Sequence, residues 1–459
     1  MKKTVVISPE SSCFPDDELP EGWKFVTINS ACEVNPPKPS KDFLPADAPV
    51  TFVPMSAVDA DMGAITNPQI KPYLEVRNGF TSFCDGDVIM AKITPCMENG
   101  KAAIVHGMKN GIGFGSTEFH VMRSRGEILP EYLFYYIRQE SFRNEAESHF
   151  TGSVGQKRVP ADFIKQRVIP RPPLAEQELI VARIEALLTQ VNAARDRLNR
   201  VPLIMKRFRQ AVLAAACSGR LMEGCRESNA VEGIEQSLQK DNVDFNDETN
   251  TPFYIGSLPK TWGWISIDDA MEKVIDYRGR TPPIEKEGIP HITTSNIRNG
   301  HINWITEKFV TQETYENYMT RGIPEIGDVF FTMEGPLGEV AILHENRKFS
   351  LAQRMLLLRG QKEIFDSEYL AFALMCSGVQ SAINMKATGS GVKGIAYKRF
   401  KQVQIPHPPL SEQHKIVRRV RLLFERADAI DREVVVAGRR CERLTQAVLA
   451  KAFRGELVR

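Results

Sequence analysis

The feature that most restricts what this chain can fold into is that it is written twice. Leu19-Pro20-Glu21-Gly22-Trp23 returns as Leu258-Pro259-Lys260-Thr261-Trp262, and Gly86-Asp87-Val88 with Pro95 returns as Gly327-Asp328-Val329 with Pro336. Glu131-Tyr132-Leu133 comes back as Glu368-Tyr369-Leu370, and Thr151-Gly152-Ser153 as Thr388-Gly389-Ser390. The run from Ile169 through Pro172-Pro173-Leu174 to Glu176-Gln177 is echoed from Ile405 through Pro408-Pro409-Leu410 to Glu412-Gln413. The offset stays within about 236 to 241 residues, so order and spacing are both preserved. A fixed period of this kind marks a tandem duplication, and each copy of roughly 200 residues is long enough to bury its own core.

The copies do not match evenly. Ile169 to Glu223 aligns with Ile405 to Arg459 without a gap, with about 21 of 55 residues identical. The stretches before them share turns and apolar pattern but little surface chemistry. Each copy therefore has a variable front and a repeated back.

The back reads as helix. Ile180, Ile184, Leu187, Val191, Ala194, Leu198 and Val201 alternate at spacings of four and three, and Ile416, Val420, Leu423, Ala427, Ile430, Val434 and Ala437 follow in the same register. An apolar seam kept over three heptads predicts a coiled coil, and two matched seams supply each other's partner. The alternative, each seam packing on its own globular domain, stays open. Pro202 and Gly438 occupy equivalent places and predict a kink or restart. Second amphipathic segments, Leu203 to Ala216 and Arg439 to Ala452, close at Gly219 and Gly455.

The fronts read as mixed β and α. Val88-Ile89-Met90 and Val329-Phe330-Phe331 predict strands, and Tyr132 to Ile137 and Tyr369 to Met375 one helix per copy. Between the copies, Glu223 to Asn250 is poor in large apolar residues and acidic, which predicts a flexible linker that keeps away from phosphates.

Composition sets outer bounds. Apolar content of 42%, charged content of 25% and a formal net charge of +2 belong to an ordinary globular chain with no global field for nucleic acid. A local basic groove can still hide inside a balanced total. Eight cysteines without a CxxC pair point away from a metal site or disulfide framework and towards a reducing compartment. The apolar start Val5-Val6-Ile7 breaks at Ser8-Pro9-Glu10, too early for a signal peptide, and no run of about 18 apolar residues follows anywhere. A cytoplasmic protein is expected.

Catalytic motifs are expected to be absent. Asn35-Pro36-Pro37-Lys38 has three residues of a methyltransferase base-holding box but lacks its aromatic, so it reads as a turn. Gly111-Ile112-Gly113-Phe114-Gly115 reads as a glycine-rich turn before a strand at Glu118 to Met122, not as a cofactor loop. No phosphate loop exists, Gly389-Ser390-Gly391-Val392-Lys393 being the nearest approach, and the eight histidines form no metal-ligand cluster. Candidate DNA-facing residues are Lys157 and Arg158 after the first Thr-Gly-Ser turn and Lys393 and Lys398 after the second, as phosphate contacts. Tyr277, Arg278 and Arg280 form a turn whose guanidinium groups suit guanine O6 and N7. Ser295, Asn296 and Arg298 differ chemically from their counterparts in Pro54 to Asp59, as a difference in specificity requires.

These residues resemble the specificity subunit family of Type I restriction-modification systems. The LPxxW opening, the TGS turn, Phe163 and Phe400 leading into IPxPPLxEQ, and the heptad helix ending in QAVL carry the resemblance in both halves. It implies an α+β fold: two mixed α/β target recognition domains, 19–168 and 257–404, separated by helical spacers, 169–221 and 405–459, that form an antiparallel coiled coil with pseudo-twofold symmetry. An N-terminal extension, 1–18, and the acidic linker, 222–256, depart from the commonest form. The implied function is a non-catalytic reader of a bipartite, asymmetric site on double-stranded DNA. It would direct adenine methylation or restriction by two methyltransferase subunits and by restriction/translocase subunits. S-adenosylmethionine, ATP and Mg would belong to those partners, with no cofactor or metal on this chain. The seam residues Ile180, Ile184, Leu187, Val191, Leu198, Ile416, Val420, Leu423, Ile430 and Val434 would form the subunit interface. A helical spacer of about 40 residues, roughly 60 Å long, spans one to two duplex turns. A coiled-coil scaffold without a DNA role and a self-sufficient methyltransferase are the alternatives.

Overall fold

The computed structural model describes residues 19–153, 156–225, 258–277, 279–389 and 391–458. The N-terminal extension, most of the acidic linker, Arg278 and Ser390 lie outside them. The chain divides into two compact units, Met1–Asn199 with Val435–Arg459, and Arg200–Val434. The division cuts both long helices. Each unit thus holds one variable front, the first half of its own helix and the last half of the other copy's.

In the first unit, Val88–Ala91 is buried along its whole length and lies between Phe119–Ser124 and Ala102–Ile104. Cys32–Val34 completes this four-stranded antiparallel sheet. Val88 and Met90 enter one core while Ile89 enters another, which is why the strand is a continuous apolar run rather than an alternating one. A second sheet has the order Gln69–Pro72, Pro49–Val53, Ile112–Gly115, Thr81–Cys84. The glycine-rich segment is therefore not the turn expected from sequence but a buried strand of this sheet. A Cβ on Gly113 would fall 2.3 Å from the Phe83 ring, and one on Gly115 2.6 Å from the Val53 carbonyl. These glycines permit close packing.

The second unit repeats the main sheet, with Met271–Asp276, Met355–Gly360, Val329–Thr332 and Val340–Ile342 in the same order. Val329 and Phe331 face one core and Phe330 the other. Pro130–Ile137 and Ser367–Met375 are the expected helices, and each is followed by a second, Glu140–Ser148 and Ser377–Lys386, too polar at its surface to stand out in the sequence.

The repeated motifs act as matched locks. Asp87 and Asp328, both buried, take a two-pronged ion pair from Arg123 and Arg359, with contacts of 2.8–2.9 Å. The Tyr132 hydroxyl donates to the Pro170 carbonyl and the Tyr369 hydroxyl to that of Pro406. Gln177 and Gln413 each accept one backbone N–H and donate to two carbonyls, joining helix start to helix entry. All three satisfy buried polar groups that would otherwise cost stability.

The long helices are Leu174–Ser218 and Leu410–Phe453. The first continues through Pro202 and the second through Gly438, so neither restarts there. A proline removes one intrahelical hydrogen bond. Packed segments on both sides, Ile180–Ile184 and Val212–Cys217, hold the helix through it. Both end, as expected, at a glycine in the left-handed region: Gly219 (φ +79°) and Gly455 (φ +74°). A Cβ on either would meet a proline ring at 2.3 Å, Pro259 at Gly219 and Pro20 at Gly455. The LPxxW opening of each copy thus seats the end of the other copy's helix.

Ile180 and Ile184 join the first unit's core together with Leu449, Ala452 and Phe453. Phe453 packs edge-on against Tyr132 at 4.8 Å and Tyr136 at 5.3 Å. Ile416, Val420 and Leu423 join the second core with Val212, Leu213, Ala216 and Cys217. In both units the start of one helix accompanies the end of the other, so the pair is antiparallel. Leu187, Val191, Leu198 and Val434 are half-buried, Ala194 is exposed and Ile430 is 44% exposed. The ends of the seam pack on the units' own cores, with Ile180, Ile184, Ile416, Val420 and Leu423 closed inside them. Among the described residues, no helix is long and apolar enough to cross a membrane.

Candidate nucleic-acid interface

The second unit carries a groove of about 310 Å³ lined by Arg280, Thr281, Ser295, Lys308, Gln353 and Arg354 among others. It continues through Gln353 and Arg354 into a depression of about 530 Å³ beside Thr388 and Val392–Ala396. Three segments far apart in sequence meet here: the turn after Met271–Asp276, the short turn Thr294–Asn296, and the Thr-Gly-Ser loop. The loop is pinned by backbone pairing of Thr388 with Gly394 and of Gly394 with Glu334.

The residues singled out from sequence separate on inspection. Arg280 is exposed, with one 3.2 Å hydrogen bond to Thr320 and its guanidinium 5.7 Å from the Tyr318 ring. Ser295 is exposed on the groove rim. Lys393 and Lys398 are exposed, Lys393 within the loop. The other assignments are corrected or qualified. Tyr277 is fully buried, stacked on Tyr318 at 4.8 Å, with its hydroxyl donating to Gly322 and accepting from the Arg321 N–H. It builds the core. Asn296 is also buried: its carbonyl oxygen accepts from Thr293 and its amide donates to the Asn303 and Ile305 carbonyls. Arg298 folds back on the Thr294 carbonyl at 2.7 Å. Arg278 lies outside the described residues.

In the first unit the matching loop is closed by Arg158, which bridges Thr151 and Ile93. Lys157 is exposed. The Arg158 guanidinium makes a two-pronged pair with Glu118, both contacts 2.9 Å. The hydrogen bond and charge of Arg158 hold the Glu118 carboxyl below the usual carboxylate range. Arg158 is thus engaged within the chain, unlike the free phosphate contact expected. Asn35, in the Asn-Pro-Pro segment, is a left-handed turn residue (φ 52°) whose side chain accepts from the Val121 N–H, as the turn reading required.

Sequence reasoning missed Lys308, Gln353 and Arg354. Arg354 is 54% exposed and its ion pair with Glu334 is loose, 3.7 Å. The available signal was positional: it immediately precedes the central strand, where the first copy has Glu118. His291, on the groove floor, donates to or accepts from the Ser350 hydroxyl at 2.8 Å, and burial pushes its pKa down to about 4. Among the described residues, no group of three or more His, Cys, Asp or Glu is placed to hold a metal ion.

A repeated frame with matched locks, carrying loops of different chemistry at one edge, defines a two-unit recognition protein. Residues 20–202 and 259–433 each match the family described as Type I restriction modification DNA specificity domain, and the chain belongs to that family. It is 27% identical to the Type I restriction enzyme EcoAI specificity subunit of Escherichia coli, over 91% of this chain and 80% of that one. It is 30% identical to the EcoKI specificity subunit of Escherichia coli (strain K12), over 73% of this chain and 68% of that one. The fold is shared with the HsdS subunit from Thermoanaerobacter tengcongensis (TM-score 0.57, 22% identity, 96% and 99% covered). It is also shared with a chain from work on complex assembly and conformational transition of the type I R-M system (TM-score 0.68, 22% identity, 96% and 100% covered).

Proposed function

We propose that this chain is the DNA-specificity subunit of a Type I restriction-modification complex, a sequence reader that performs no chemistry itself. The observation that carries this reading is the family match in both copies, combined with different side chains at the equivalent loop edge of each unit. Two different readers on one chain select a bipartite, asymmetric site on double-stranded DNA, whereas identical ones would select a palindrome. The partners are two methyltransferase subunits, which methylate adenine with S-adenosylmethionine, and restriction/translocase subunits that use ATP and Mg. Cytoplasmic location follows from work on chromosomal DNA.

The test is to purify the chain, add the methyltransferase subunit of the same host, and map methylated positions on genomic DNA. Methylation should appear only in the mixture, at a split site with two unlike halves. Turnover by the isolated chain, or methylation without site preference in the mixture, refutes the reading.

A further inference from the structure

We infer that Arg354 is a base-reading residue of the second unit, selecting a guanine through its O6 and N7 edge, and that the first unit has no such reader at the equivalent place. This inference rests on the proposed function above. The equivalence follows from strand register. Phe119 pairs with Ala91 in the first unit and Met355 with Thr332 in the second, while Arg123 and Arg359, four residues further on, make the same buried ion pair. Glu118 and Arg354, each one residue before, therefore stand at the same corner. In the first unit that corner is a carboxylate neutralised by Arg158. In the second, the residue at the position of Arg158 is Gly394, which also closes its loop against Thr388. The charge at the corner has changed sign, and the side chain that neutralised it has been removed.

The surroundings of Arg354 favour an anionic ligand and the reading of a base edge. Its groove is lined by Arg280, Lys308 and Arg354, with one carboxylate, Glu334, in the adjoining depression. Three cations against one acid leave a net positive site that attracts phosphate backbone. A guanidinium fork there can make the paired hydrogen bonds that guanine offers in the major groove. Arg359 is engaged with Asp328, at 10% exposure, and Arg298 with its own turn, while Arg280 lies over the Tyr318 ring and bonds Thr320. Among the described residues, Arg354 keeps only the 3.7 Å contact to Glu334, itself 42% exposed, which a base edge can displace. Lys308 is an exposed point charge better suited to phosphate.

The experiment uses the full chain assembled with its methyltransferase partner. The complex selects from a library of randomised DNA duplexes, and binding to the selected duplex is then measured against salt. Arg354→Ala should lower affinity for that duplex about five- to 150-fold and relax preference at one base pair of one half-site, leaving the other half-site unchanged. Arg354→Lys keeps the charge and should show the same relaxation with the salt slope intact. Lys308→Ala should instead weaken all duplexes alike and flatten the slope. An Arg354→Ala complex that selects the wild-type sequence with undiminished affinity overturns the inference, as does uniform weakening with a flatter slope, which makes Arg354 a phosphate contact. Both outcomes leave the proposed function standing. A wild-type complex that selects no sequence at all removes the proposed function itself. Thermal melting of each variant checks that the exposed substitution leaves the fold intact.

Discussion

The two units share a frame and differ at its edge, and the frame is held by the very residues that repeat. Asp87 with Arg123 and Asp328 with Arg359 occupy the same register positions and make the same two-pronged contact. Five residues before each arginine the agreement stops, at Glu118 with Arg158 against Arg354 with Gly394. The lesson is that recurrence in this chain marks structural necessity, and divergence marks the surface free to acquire specificity. A residue repeated in both copies is therefore a poor candidate for reading sequence.

The sharpest way to break the shared frame is to remove one carboxylate of the locks. Asp328→Ala removes the two-pronged partner of Arg359, 10% exposed, and leaves it the more exposed Glu325 carboxylate and the Ile323 carbonyl. Breaking a buried pair from one side costs about 3–5 kcal/mol where the charge is left unpaired, and Glu325 offsets part of that here. Asp87→Ala should cost less, since the Arg123 side chain is 38% exposed and water can replace the lost carboxylate. Urea denaturation of both variants measures the difference. Equal losses would mean that the arginine's exposure does not set the cost, and the two locks would then be interchangeable.

The units also differ in their buried histidines, and pH separates them. His291 in the second unit has a folded pKa of about 4 against an ordinary 6.5. Burial lowers the pKa of His120 in the first unit too, where it bonds the Val159 carbonyl at 2.8 Å. A depressed histidine pKa means that the unfolded chain takes up a proton the folded chain refuses. The stability is therefore fully present above pH 6.5 and is lost as pH falls towards 4. For His291 the loss amounts to about 3 kcal/mol at roughly 1.4 kcal/mol per pH unit. His291→Gln should flatten the dependence of the melting temperature on pH between 6.5 and 4 without abolishing it, because His120 remains. An unchanged pH profile would show that His291 protonates freely in the folded state.

The sequence revealed the duplication, the central strands and the glycine stops, because these depend on spacing and on local backbone demands. It concealed what covers what. An apolar stripe shows that a face is buried but not against which surface, so the packing of Phe453 on Tyr132, across more than 300 positions, left no local trace. Gly113 and Gly115 looked like a turn because a glycine placed for close approach and one placed for a bend are written alike. Tyr277 and Asn296 looked like polar tips on exposed loops, yet both are buried and bonded to backbone. Arg354 escaped notice because its meaning lies in the comparison with Glu118, which only the strand register brings into alignment.

The smallest effect expected concerns the first unit's loop, where Lys157 is exposed and Arg158 is engaged by Glu118. Lys157→Ala in the assembled complex should weaken binding to all duplexes alike and reduce the salt slope by about one, the signature of a single lost phosphate contact. Arg158→Ala acts differently, by uncovering the Glu118 carboxylate next to the phosphates, so it should weaken binding through repulsion. Removing that carboxylate as well, in Arg158→Ala with Glu118→Ala, should then restore most of the affinity. Two residues in one network couple in this way, and the double-mutant cycle isolates the coupling. Failure of the second substitution to restore binding would mean that Arg158 touches DNA itself and that the first unit's corner is a reader after all. The contrast drawn between Glu118 and Arg354 would then be a difference in which base is read, with both units reading at the same place.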